Sequence, residues 1–372
     1  LIAGSAVLAD APVTVEPMEW NPPQPRLQQA RKEALRSDPS VALGRRLVDL
    51  GKPPLQPRSQ QPGSIGPTQI GFGRDVAALK SSADTNYQLN WKPSNGGLVG
   101  SLAIQSQDAT GIRIGIKVDA IPDDAELRFF TKDASQITLV QGRTISETIK
   151  RNLDAGDPEE TARMYWSPVL DGEVGGVEIY LPSGVSTDAL RISFPQISHL
   201  FCTGTLLNDQ SSDGIPYFQT ANHCISSQSV ASTLVAYWFY RSSSCNSGTL
   251  YPGATATGGG AVLLYNSATT DAAFLRLNSA PPSGAVYSGW STSAPALGIP
   301  LTGLHNPKGD LQKYSTGPLT GYYDCFSTGG ESFSCGISND ANSTFIQTVF
   351  SAGLTESGSS GSAIFNSNGG YL

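Results

Sequence analysis

From about residue 75 onward, apolar residues recur at every second position in runs too short to form long helices. IRIGIKVDA at 112–120, ELRFFT at 126–131, GVEIYL at 176–181 and LRISF at 190–194 all follow this rhythm, with IPDD and LPSG as turn segments between them. Period-two alternation is what a half-buried strand requires. After Pro195 the pattern continues in CTGTLL, PYFQTA, LVAYWFYR, GAVLLY, DAAFLRL and TFIQTVF, joined by Gly, Ser and Asn loops. The fold class is therefore all-β. A β-sandwich-like unit comes first, and evenly spaced short strands in barrel-like arrangement come second.

At 372 residues the chain is long enough for two cores. Composition shifts divide it into four stretches. Residues 1–11, LIAGSAVLADA, read as the end of an apolar secretory signal. Residues 12–74 are rich in Pro, Gln and Arg, with little periodicity, and read as a mostly unstructured leader. Residues 75–195 form the first β-rich domain, which holds no Cys, no His and no cluster with the chemistry of a site. Residues 196–372 form the second. Charge is uneven: residues 12–74 carry nine Lys/Arg against five Asp/Glu, and residues 196–372 carry four against eight. No basic run is dense enough for nucleic acid. Apart from the first residues, nothing approaches the span of about 20 apolar residues that a membrane helix needs. All five cysteines lie after position 200, an odd number that leaves one thiol over.

Three elements of the second half carry chemistry. Thr220-Ala221-Asn222-His223-Cys224 ends a strand-like run; Asp271 immediately precedes an apolar strand; Gly358-Ser359-Ser360-Gly361 is a glycine-flanked serine before another apolar run. A serine hydroxyl needs a base within hydrogen-bond reach to become a nucleophile, and histidine titrates near neutrality. A carboxylate then fixes the imidazole tautomer. Glycines beside the serine allow main-chain N–H groups, here those of Gly358 and Ser360, to face a developing oxyanion. The order His, Asp, Ser, at separations of 48 and 89 residues, matches one of the known arrangements of such triads.

On these residues the chain resembles the trypsin-like serine endopeptidases, specifically their bacterial lysyl-endopeptidase-like branch. The matching stretches are CTGTLLND, PYFQTANHC, VAYWFYRSSSC, the Asp271 strand, GWSTSAPALGIPLTGLHNPKG and TESGSSGSAIF. The resemblance implies a double β-barrel of chymotrypsin type over 196–372. It implies His223 as general base, Asp271 as its orienting acid and Ser360 as nucleophile. It also implies a secreted, extracellular zymogen whose leader and first β-rich domain are a propeptide. Partners are protein or peptide substrates, with no nucleic acid, no membrane after signal removal and a monomeric enzyme; no metal or organic cofactor is implied. Cys202 and Cys224 resemble the family's histidine-loop bridge, worth roughly 3 kcal/mol in the chain-entropy treatment. Proximity suggests a Cys325–Cys335 clip; Cys245 then stays over, unless it takes one of that pair or a partner beyond Leu372.

Departures from the family matter too. Ser359 stands where many members have Asp, so activation through a buried N-terminal ion pair is not expected. Leu354 occupies the place of trypsin's acidic pocket floor; cleavage after Lys or Arg would depend on an acid further downstream. The chain ends twelve residues after Ser360, and by itself it is expected to be inactive. The competing reading is a non-catalytic, pseudoprotease-like binding protein on the same scaffold.

Overall fold

The computed structural model describes residues 34–40, 43, 46–52, 73–198 except 108 and 110, and 202–372 except 330, 331 and 357. The expected signal end at 1–11 and most of the leader at 12–74 lie outside the described residues.

The alternating strands of the first unit close face to face. One sheet runs Leu47–Asp49, Gly97–Gln105, Val174–Leu181, Glu126–Thr131, Ile137–Gln141, with Lys92–Ser94 paired beside Gly97–Gln105. The other runs Gly73–Asp75, Arg191–Ser198, Gly111–Ala120, Met164–Trp166, with Leu170–Asp171 beside Gly111–Ala120. Leu102, Leu127, Phe129, Val177 and Ile179 of the first sheet share one core with Ile112, Ile114, Ile116, Ile192 and Phe194 of the second. The ELRFFT strand is buried on both faces, because Phe130 points away from that core into a second cluster with Val174 and Ala103. Leu35, Leu43 and Leu47 pack against it, so the described part of the leader covers the outer face. Opposite Phe130 sits Gly176; a Cβ there would come within 2.2 Å of the ring. The same leader segment is bonded to the sheet: the carboxylate of buried Glu178 accepts from the main-chain N–H groups of Arg36 and Ser37, each at 2.8 Å.

Strands alone do not describe this unit. Gly142–Asp154 is a helix whose Ile145, Thr148, Ile149 and Asn152 are buried, spaced to lie on one helical face. Ser82–Leu89 is another, with the hydroxyl of Ser81 accepting from Asp84 N–H at its start.

The second unit has two main sheets. The order Thr205–Leu207, Tyr217–Ala221, Ala272–Leu277, Ala261–Ser267 defines one, and Ser332–Ser338, Lys313–Gly329, Pro300–His305, Ala363–Phe365 the other. Phe345–Thr348 pairs with Lys313–Gly329. Ala236–Trp238 corresponds to the LVAYWFYR run and pairs with Thr255–Thr257. Cys202 is bonded to Cys224 and Cys325 to Cys335, and Cys245 is free and exposed.

The two units meet at the short Gln228–Ala231 helix, which follows the histidine segment. Asp157 accepts from the N–H groups of Gln228 and Ser229 at 3.3 and 2.6 Å. Asn152 accepts from the Ser232 hydroxyl at 2.7 Å, and Arg113 donates to Thr233 O at 2.7 Å. Desolvation lowers the Arg113 guanidinium to about 10, which leaves it charged at neutral pH.

Candidate active site

Residues 221 and 272 are the last partners of the antiparallel pair Tyr217–Ala221 and Ala272–Leu277. One strand is leaving the sheet there as the other enters it. His223 follows the first and Asp271 precedes the second, so two side chains 48 residues apart emerge side by side. Asp271 takes a left-handed backbone conformation, φ +50°, a region that Asp tolerates better than most residues. Its carbonyl accepts from Asn222 N–H at 2.9 Å. Its carboxylate is divided: Oδ1 accepts from His223 N–H at 2.9 Å, and Oδ2 lies 2.7 Å from His223 Nδ1. One acid thus fixes both the main chain and the ring of the histidine. Asn266 holds the following turn, donating to Asn222 Oδ1 and Ser226 O, both at 3.0 Å.

A carboxylate can only accept, so Nδ1 carries the ring hydrogen and Nε2 of the neutral imidazole is bare. The imidazole side chain is 7% exposed, and Nε2 is buried without a hydrogen-bond partner among the described residues. No hydrogen bond joins it to Ser360.

The serine loop nevertheless lies against the histidine strand. Thr203, beside the bridged Cys202, donates through its main chain to Ser360 O at 2.9 Å and through its hydroxyl to Gly358 O at 2.8 Å. Its own carbonyl accepts from the Thr220 hydroxyl at 2.8 Å. Gly361, at φ +76°, is pressed so close that a Cβ would fall 2.2 Å from Thr220 Oγ1 and 2.6 Å from Ala221 N. Gly358 is also left-handed, at φ +92°. Glycine at both positions lets the chain turn sharply around Ser360 while touching the neighbouring backbone. The main-chain N–H groups of Gly358 and Ser360 donate to no other protein group among the described residues.

The structure therefore joins His223 to Asp271 directly and packs the Gly358–Gly361 turn onto the strand leading to His223. Thr203 and Asn266 were not visible as contributors in the sequence. Thr203 had one available signal, its place next to a cysteine of the histidine bridge. His305 is also part of this loop: its Nδ1 lies 2.6 Å from Ser359 Oγ. Leu354 is exposed, and Ser359 is buried. Among the described residues no group of three His, Cys, Asp or Glu side chains is arranged to hold a metal ion, and no helix is long and apolar enough to cross a membrane.

Comparison with known proteins gives the following. A family model described as "Lysyl endopeptidase, C-terminal domain" matches residues 185–372, and one described as "Lysyl endopeptidase N-terminal domain" matches residues 46–201. A lysyl endopeptidase of Pseudomonas aeruginosa is 26% identical over 396 residues, covering 88% of this chain and 79% of its own length. Among solved structures, the apo MamO protease domain of Magnetospirillum magneticum has 10% identity and a TM-score of 0.28, over 45% of this chain and 80% of that one. An HtrA-type protease with a tripeptide has 14% identity and a TM-score of 0.28, over 46% of this chain and 44% of that one.

Proposed function

The chain belongs to the lysyl endopeptidase family of trypsin-like serine endopeptidases, and on that premise we propose that it hydrolyses peptide bonds through an acyl-enzyme on Ser360, with His223 as general base and Asp271 as its orienting acid. The observation that carries the assignment is the divided Asp271 carboxylate, one oxygen on His223 N–H and the other on Nδ1. That arrangement leaves a bare, buried Nε2 to act as the base.

In the proposed reaction, Ser360 Oγ attacks the substrate carbonyl as its proton passes to His223 Nε2. The carbonyl oxygen becomes an oxyanion and accepts from the N–H groups of Gly358 and Ser360. The imidazolium, stabilised by Asp271, returns the proton to the departing amine as the C–N bond breaks. Water then repeats the sequence on the ester and releases Ser360. Loss of one oxyanion donor in such a site costs about 2.7–4 kcal/mol. A non-catalytic module would have no use for the bare Nε2.

The finer reading is of a secreted precursor. The sandwich over 75–195 acts as its propeptide, and cleavage falls after Lys or Arg; the Pseudomonas relative is named a lysyl endopeptidase. Ser360→Ala in the full-length enzyme is expected to abolish covalent labelling by a fluorophosphonate probe. Labelling that persists at the wild-type rate overturns the assignment.

A further inference from the structure

His305 ends the Pro300–His305 strand, is 1% exposed, and has no step in the reaction above. Both of its ring nitrogens are engaged. Nδ1 lies 2.6 Å from Ser359 Oγ and Nε2 lies 3.0 Å from Ser315 Oγ. The directions of these bonds follow from their neighbours. Ser315 Oγ also lies 3.2 Å from Leu354 O. A carbonyl only accepts, so the Ser315 hydrogen is committed to it, and Ser315 Oγ must receive its second bond from His305 Nε2–H. A neutral ring then has a bare Nδ1, which accepts the Ser359 hydroxyl hydrogen. Ser359 Oγ in turn accepts from Glu356 N–H at 3.1 Å.

The result is one directed chain: Glu356 N–H to Ser359, Ser359 to His305, His305 to Ser315, and Ser315 to the Leu354 carbonyl. Both ends land on the segment just before the nucleophile, and Ser359 itself is joined to Ser360 by a peptide bond. Rotation of that peptide plane would swing the Ser360 N–H away from any oxyanion. Donors of this kind work only within about 2.7–3.1 Å of the developing charge, and a displacement of about 1 Å can cost on the order of 100-fold in rate.

We propose that His305 is a positioning residue for the nucleophile loop: as the neutral Nε2–H tautomer it fixes the Ser359–Ser360 peptide so that the Ser360 N–H faces the oxyanion. The inference rests on the assignment of Ser360 as nucleophile. It adds a role that the serine, histidine and aspartate do not supply, and it explains why a buried serine rather than an acid suits position 359 beside an uncharged ring.

The test is active-site titration combined with single-turnover acylation by a p-nitrophenyl ester, in the full-length enzyme carrying His305→Asn or His305→Gln. The Asn side chain places an oxygen where Nδ1 lies and retains the acceptor for Ser359. The Gln side chain reaches the Nε2 position, so it retains donation to Ser315 and loses Ser359. Both variants are expected to titrate to full burst amplitude with KM within about twofold of wild type. Acylation per titrated site is expected to slow about tenfold in His305→Gln, equivalent to about 1.4 kcal/mol, and less than threefold in His305→Asn. Equal rates in wild type and His305→Gln, equal slowing in both variants, or loss seen only as reduced burst amplitude would each overturn the proposal. If the His305 variants do not fold, Ser359→Ala answers instead: it should slow acylation like His305→Gln, and a wild-type rate overturns the role. A wild-type enzyme that gives no burst at all defeats the Ser360 assignment, a separate failure.

Discussion

The two units of this chain are held together by different means. The first has a core of Leu, Ile, Val and Phe shared between two sheets, with Phe129, Leu102, Ile112, Ile114 and Phe194 fully buried. The second is lined in its main cluster by small side chains, Ala221, Ala231, Ala236, Ala261 and Ala273 among them. It also buries Thr203, Thr220, Gln228, Ser232, His305, Ser315 and Ser359, each hydrogen-bonded. Apolar burial is non-directional and forgiving of position. Hydrogen-bonded polar burial is directional, and it fixes where groups point. Both units bury hydrogen-bonded polar groups, Glu178 and Asn152 in the first among them; what differs is the apolar core, large and shared between two sheets in the first and Ala-rich in the second.

Substitutions that act on one unit alone would sharpen that contrast. The largest stability effect is expected from Phe129→Ala, which should lower the first unit's unfolding free energy by about 3–5 kcal/mol. The check is calorimetry, with the second unit's transition unmoved; a shift below about 1 kcal/mol would break the comparison. Next, Cys202→Ala with Cys224→Ala should destabilise the second unit by roughly 3 kcal/mol. Reductant should act there too, and leave the cysteine-free first unit where it was. The smallest effect is a pH slope. Burial lowers the His305 imidazole below its ordinary 6.5, opposed by the nearby Glu356 carboxylate. The unfolded chain therefore takes up that proton at a higher pH than the folded one. This contribution to stability is complete above about pH 6.5 and is lost as pH falls through the folded value. Urea midpoints for the second unit, measured from about pH 8 down to about pH 5, should drop less steeply in His305→Asn than in wild type.

Much of the fold was legible because period-two alternation survives in sequence: 112–120, 126–131, 176–181 and 191–194 all lie in strands. The Gly142–Asp154 helix was not, since its buried face includes Thr148 and Asn152, polar residues that hide the apolar stripe. The Lys313–Gly329 strand was masked by Gly317, Pro318 and Gly321, residues that ordinarily mark turns. At the site, the residues that the structure brings together, His223 with Asp271 and the Gly358–Gly361 turn against the strand before His223, each sit in a local motif. The chain through Ser359, His305 and Ser315 was not legible. Its members stand 54 and 10 residues apart in sequence, and only the pairing of strands makes them neighbours.

The junction between the units has a consequence of its own. Asp157 and Arg113 reach not side chains but the peptide groups of residues 228, 229 and 233. Every amino acid has a carbonyl, and every one but proline has an amide hydrogen. The receiving side of those three bonds can therefore change almost any of its residues and still offer the same grip, whereas one altered residue at 113 or 157 removes it. For those three bonds the freedom to vary lies with the second unit and the constraint with the first, whereas the Ser232–Asn152 bond, made between side chains, constrains both.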